Sequence, residues 1–174
     1  KAEIFNGLKS DGYILINNDH YYDEIIKYTK NYSQSNVLTY GSNKKADIRL
    51  VNRNKSNNGQ KITAEADGKI YKYEVSLDGQ HQAINSLAVI GSLMLSNCDI
   101  NKGLSNLDKI TLPTGRGAKF NLLIKGEKSI LIDDTYNANL SSMIASLHSL
   151  NEIAKSNRKV LIFGKMGELG AFSE

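Results

Sequence analysis

Tyr13-Ile14-Leu15-Ile16-Asn17 sets apolar side chains in unbroken succession and ends on a polar residue. A short run without alternation is what a strand covered on both faces requires, and such strands belong to parallel sheets. From Asp19 to Thr29 the period changes, with Tyr22, Ile25, Ile26 and Thr29 returning at helical spacing. Val37 to Tyr40 then reads as a second short strand before Gly41. Parallel neighbours need a crossover, so strand, helix, strand predicts a βαβ unit and an α/β fold.

Further along, Lys61 to Ala66 and Lys69 to Leu77 flank Asp67-Gly68, which supplies the positive φ of a two-residue turn. Tyr71, Tyr73, Val75 and Leu77 share one face of the second arm, opposite Lys72, Glu74 and Ser76, so this hairpin has one wet side. Gly79 opens a long helix whose stripe is Ile84, Leu87, Ala88, Gly91 and Leu95. Cys98 ends that pattern and is expected to be a buried structural thiol; as the chain's single cysteine it fits a reducing compartment. A shorter helix is predicted over Asn101 to Leu107.

The only proline lies in Leu112-Pro113-Thr114-Gly115-Arg116-Gly117, where a stiff φ beside two permissive glycines places a domain boundary. The expected domains are residues 1–112 and 113–174. In the second, Asn121 to Lys125 and Lys128 to Ile132 pair around Gly126-Glu127. Ser141 to Lys155 is helical with Met143, Ile144, Leu147, Leu150 and Ile153 inward, and Val160 to Phe163 reads as a buried parallel strand.

The net charge of +4 and a pI near 9.0 raise the question of nucleic acid. The lysines are scattered, and the densest polar tract, Asn52 to Lys61, has no aromatic residue on which a base could stack, so no nucleic-acid partner is expected. No apolar run approaches the roughly 20 residues of a membrane helix. The chain has no initiator Met and Lys1 to Phe5 is unlike a signal peptide, so it is expected to begin inside a longer protein or to have been cut there; a cytoplasmic location is expected.

Asp133-Asp134-Thr135-Tyr136-Asn137-Ala138-Asn139 follows a predicted strand and precedes a predicted helix. Polar groups there stand at the crevice where open α/β sheets bind ligands, beside a helix start suited to phosphate. On the residues alone, an Asx-rich turn capping the helix explains the segment equally well. Gln82 and Asn85, three apart, project paired amides from one helix face, and an amide offers adenine a donor beside an acceptor. His81 alone reads as a cap or surface residue. Arg116, between two glycines, either meets phosphate oxygens with paired donors or is an exposed hinge arginine.

The 133–139 segment closely resembles the motif of the Mur-type ATP-dependent amide ligases, in the branch that adds D-alanyl-D-alanine. The resemblance extends along the chain in order. Lys1-Ala2-Glu3-Ile4-Phe5 is similar to the family's Lys-Gly-Glu-Ile-Phe, Asn17-Asn18-Asp19 to its Asn-x-Asp, and His81 with Asn85 to its His-Asn-x-x-Asn. Gly115-Arg116 resembles its interdomain Gly-Arg, and the 164–170 segment its Gly-Asp-Met-x-Glu-Leu-Gly. Gln82 stands where the family has Asn, which keeps an amide; Lys165 stands where the family has an aspartate and reverses the charge there.

This resemblance implies the later half of a parallel-sheet ATPase domain with a small antiparallel hairpin sheet, then the start of a Rossmann-like domain. It implies ATP and Mg²⁺ as cofactors, with a UDP-linked muramoyl tripeptide and D-Ala-D-Ala as substrates joined through an acyl phosphate by a bacterial monomer. Arg116 and Asp134 would bring the second domain onto ATP, with His81, Gln82, Asn85, Tyr136, Asn137 and Asn139 as further ATP contacts. Lys1 matches a lysine the family carries as a carbamate, whose oxygens suit Mg²⁺; the residue alone reads as a solvated lysine. Glu168 and Leu169 would shape a loop. No Gly-x-x-x-x-Gly-Lys-Ser/Thr loop occurs in this sequence, so the family's phosphate loop is expected upstream of Lys1 and the chain alone is expected to be inactive. Rival readings are a related ligase extending folate or cyanophycin, and a non-catalytic nucleotide-binding fragment.

Overall fold

The computed structural model describes residues 2–9, 11–29, 37–164 and 166. They fall into two compact units, Lys1–Ile110 and Thr111–Glu174. In the first, a 3₁₀ turn (Ala2–Gly7) precedes β1 (Ile14–Asn17), α1 (Tyr22–Thr29) and β2 (Val37–Gly41), the expected βαβ unit. β1 pairs parallel with β2 from Ile14↔Val37 to Asn17↔Tyr40.

β3 (Ile48–Ser56) lies beside β2, parallel to it, with Tyr40 opposite Ile48. β4 (Gly59–Ala66) and β5 (Lys69–Val75) add antiparallel strands, so the sheet runs β1-β2-β3-β4-β5. The Asp67-Gly68 hairpin is therefore continuous with the parallel strands. β3 was not expected: its outer half, Asn52-Arg53-Asn54-Lys55-Ser56, carries no apolar period, and backbone pairing with β4 makes the strand. The register shifts between Leu50 and Asn52, a bulge that leaves Val51 exposed. Across the ladder Arg49 pairs with Glu65.

α2 (Gln80–Leu95) covers one face of this sheet. Its Ala83, Ile84, Leu87 and Ile90 join Ile48, Ile62, Ala64, Ala66, Tyr73 and Val75 in the core. Gly91 lies where the helix comes closest: a Cβ there would sit 2.7 Å from Leu15 Cδ1 and 2.9 Å from Ile48 Cδ1. The predicted 101–107 helix is instead α3 (Ile100–Leu104), capped by the Asp99 carboxylate accepting from Lys102 N at 3.1 Å, followed by a separate 3₁₀ turn, Leu107–Lys109. Cys98 is exposed, contrary to expectation. α2 stops at Leu95, and Asn97 turns with φ 51°, which carries Cys98 off the helix's buried face.

The second unit holds a two-stranded sheet, β6 (Ala118–Ile124) and β7 (Glu127–Asp133), then α4 (Leu140–Ala154). The hairpin turns on Lys125 and Gly126, both with positive φ (51° and 83°), one residue earlier than expected. Two sequence expectations are corrected here. The stripe of α4 is not buried: Ile144 and Leu147 are exposed, and Met143, Leu150 and Ile153 only half-covered. Val160 to Phe163 is exposed and forms no strand, since among the described residues none pairs with it to satisfy its backbone groups.

Candidate nucleotide-binding residues

In the first unit the parallel strands end at a polar cleft of about 740 Å³, bordered by Asn18, Asp19, Asp23, Glu24, Thr39 and Asp47 among others. Its floor is set by the Asn17-Asn18-Asp19 motif. Asn17 Oδ1 accepts from Asp19 N at 2.7 Å, and the Asp19 carboxylate accepts from Ser42 N at 2.8 Å and Asn43 N at 3.0 Å. A Cβ at Gly41 would lie 2.7 Å from Asp19 Oδ1, so the loop after β2 is drawn tightly onto this carboxylate. Tyr40 is half-buried beside it; burial raises its phenol pKa, against the lowering hydrogen bond with Asn17. Asp47 Oδ2 accepts from the Thr39 hydroxyl at 2.6 Å and from Thr39 N at 2.8 Å. These carboxylates serve the fold of the loops, and His81, Gln82 and Asn85 do not line the cleft.

Those three residues occupy the first turns of α2, with His81 and Gln82 half-buried and Asn85 exposed. The helix begins after Gly79, at φ 97°, without a side-chain cap. Gly79 O accepts from Gln82 N at 3.1 Å and Ala83 N at 3.3 Å. A residue that sequence reasoning passed over also reaches this junction: Gln60, 2% exposed, donates from Nε2 to Leu77 O at 2.8 Å and Gly79 O at 2.9 Å. Its signal was phase, because Gln60 precedes Ile62, Ala64 and Ala66 on the inward face of β4.

In the second unit the glycine-flanked arginine and the strand-end segment meet. Gly117 N donates to Asp133 O at 2.7 Å, and Tyr136 N donates to Gly115 O at 2.9 Å. Gly115 has φ 76°, and a Cβ on it would approach Tyr136 N to 2.9 Å, so a side chain is excluded there on both counts. The result places the Arg116 guanidinium carbon 4.0 Å from the centroid of the Tyr136 ring, a cation–π contact. The Asp134 carboxylate accepts from the Ser146 hydroxyl of α4.

The remaining members of the segment make local turns. Asp133 Oδ1 accepts from Thr135 Oγ1 at 2.7 Å and Thr135 N at 3.2 Å, and Asn137 Oδ1 from Ala138 N at 2.8 Å. Asn139 caps α4: its Oδ1 accepts from Ser142 N at 2.9 Å while Ser142 Oγ accepts from Asn139 N at 3.1 Å, a reciprocal capping box. The segment thus divides between a capping turn, the exposed Tyr136 on which Arg116 stacks, and Asp134, which turns to Ser146. Lys1, Lys165, Glu168 and Leu169 lie outside the described residues. Among the described residues no cluster of His, Cys, Asp and Glu could hold a metal ion, and no helix is long and apolar enough to cross a membrane.

The parallel strands with their antiparallel extension and covering helix are those of a ligase family: residues 1–93 match the Mur ligase middle domain, and the chain belongs to the Mur ligase family. Within that family it is 29% identical to the UDP-N-acetylmuramoyl-tripeptide--D-alanyl-D-alanine ligase of Escherichia coli (strain K12), over 100% of this chain and 37% of that protein. The fold is similar to MurF from Acinetobacter baumannii, with a TM-score of 0.83 at 21% identity over 99% of this chain and 36% of that one. It is also similar to the MurF ligase of Thermotoga maritima in complex with ADP, at TM-score 0.63 and 20% identity over 82% and 31% of the two chains. The chain therefore spans about a third of the length of these relatives.

Proposed function

We propose that this chain is the nucleotide-handling part of an ATP-dependent ligase that joins D-alanyl-D-alanine to a UDP-linked muramoyl tripeptide. The observation that carries the reading is the stacking of Arg116 on Tyr136 of the Asp133 to Asn139 segment, on which the resemblance to this branch is strongest. A guanidinium is charged at any working pH and presents paired donors to phosphate oxygens. The Tyr136 ring holds it in place, and Asp134, oriented by Ser146, offers an acceptor to a hydroxyl of the nucleotide. Gln82 and Asn85 supply amides of the kind that match an adenine edge, with His81 beside them.

In the proposed reaction the tripeptide carboxylate takes the terminal phosphoryl group of ATP, giving an acyl phosphate and ADP. The amine of D-Ala-D-Ala then attacks the carbonyl, the bond to phosphate breaks, and phosphate leaves as the amide forms. Fixed cations act here by neutralising developing charge. Mg²⁺, when bound, would add to that neutralisation.

The test uses the full-length protein with a panel of amine acceptors. Phosphate release is expected with D-Ala-D-Ala and not with L-glutamate, L-aspartate or L-arginine; turnover on L-glutamate with a folate acceptor would overturn the reading. Arg116→Ala is expected to lower kcat/KM by the equivalent of about 1.5–3 kcal/mol, the worth of a charge-assisted contact, at an unchanged melting temperature because the residue is exposed. An Arg116→Ala protein with full kcat/KM removes Arg116 from the site.

A further inference from the structure

We propose that Gln60 is a positioning residue for base recognition, acting through the junction from which Gln82 and Asn85 project. The inference rests on the reading of those two amides as adenine contacts. Gln60 is a polar side chain among the largest fully buried ones, which otherwise are Ile48, Ile62, Leu87 and Ile90. A buried amide is costly unless its hydrogen bonds are made, and an apolar residue of the same volume would fill this place in the core. What the amide adds is direction. Both Nε2 bonds end on carbonyls of the 77–79 connection between β5 and α2. Its Oε1 accepts from the Arg53 guanidinium at 3.3 Å, which fixes which end of the amide faces the junction.

The backbone of Gln60 is itself immobilised. Gly59 has φ 137°, and a Cβ there would meet Val75 O at 2.1 Å, so the start of β4 is pressed against the end of β5. On the other side, the N-cap position of α2 is Gly79, which has no side chain with which to cap the helix. The first N–H groups of a helix have no intrahelical partner, so the entry of the chain into α2 takes a hold from outside the helix. Gln60 supplies that hold from the sheet. Gly79 O is at once its acceptor and the acceptor of Gln82 N, so a single carbonyl links the buried amide to the turn that carries Gln82, with Asn85 one turn further on.

The experiment uses the full-length protein and Gln60→Met, which keeps length and volume and removes both donors. The expected result is a KM for ATP raised about tenfold with kcat within about twofold and the KM for D-Ala-D-Ala unchanged. The preference for ATP over purine riboside triphosphate, which lacks the 6-amino group, is expected to fall severalfold, because loosened amides discriminate less between the two bases. Unchanged KM and unchanged preference, with or without a lower melting temperature, overturn the proposal and leave Gln60 a packing residue. Gln60→Asn keeps the amide but withdraws it by one methylene; it carries the same expectation and decides the matter if Gln60→Met does not accumulate as folded protein. Gln82→Ala and Asn85→Ala run in parallel. If they raise the ATP KM while Gln60→Met does not, positioning by Gln60 falls alone; if they too leave it unchanged, the reading of the helix start falls with it.

Discussion

Tyr73 is a polar group set inside an apolar core. Its ring is 8% exposed, and its hydroxyl shares a 2.8 Å hydrogen bond with Ser86 Oγ of α2, tying β5 to the helix above it. Burial pushes its pKa up to about 12, only partly offset by the hydrogen bond to Ser86. The unfolded phenol titrates near 10, so the fold favours the neutral form. That contribution is fully present below about pH 10 and is lost as pH rises through about 12, an effect on the order of 3 kcal/mol. Urea unfolding from pH 8 to 12 is expected to show stability falling over this window. Tyr73→Phe should cost about 1 kcal/mol at neutral pH, for the lost hydrogen bond, and flatten the alkaline decline. An equally steep decline in Tyr73→Phe would assign the alkaline loss to other groups.

Among the elements, Gly91 shows how closely α2 approaches the sheet. Alanine in a helix interior is favoured over glycine by about 1 kcal/mol. Here the added methyl would fall within 3 Å of Leu15 Cδ1 and Ile48 Cδ1, and Ile48 has no room to retreat because it is fully buried. Overpacking of this kind costs about 1–3 kcal/mol, so Gly91→Ala is expected to lower stability, read as a lower urea midpoint at unchanged slope. A higher midpoint would show that the helix can lift off the sheet without loss. The elements that sequence patterns disclosed most plainly are β1 by its apolar run, β4 and β5 by the Asp67-Gly68 turn and the alternation of the second arm, and α2 by its stripe. β3 escaped because its outer half is held by backbone pairing to β4, which leaves no trace in polarity. The site divides in the same way. Arg116 and the 133–139 segment are legible because their residue types are unusual in that order, and the resemblance adds weight to them. Gln60 stayed hidden because a lone glutamine in a Lys- and Asn-rich tract looks like surface, and only its phase with Ile62 and Ala64 betrays it.

For the whole molecule, the core residues from Ile14 to Leu107 all lie in the first unit. Among the described residues of the second, no hydrophobic side chain is buried; Phe120, Leu123, Ile130, Ile144 and Leu147 are all exposed. β6 and β7 pair from Ala118↔Asp133 to Ile124↔Glu127, yet a two-stranded sheet without a covered face is marginal in water, because little apolar burial opposes its chain entropy. The second unit should therefore open without the first. Native-state hydrogen exchange of this chain is expected to show amides of residues 118–133 exchanging at least about a hundredfold faster than those of β4 and α2, whose opening requires disruption of the main core. The Tyr73–Ser86 and Gln60–Gly79 links, which join β4 and β5 to α2, place the slow amides on both sides of that interface. Equal protection in the two units would mean that β6, β7 and α4 draw stability from burial, and would contradict the exposure of their apolar faces.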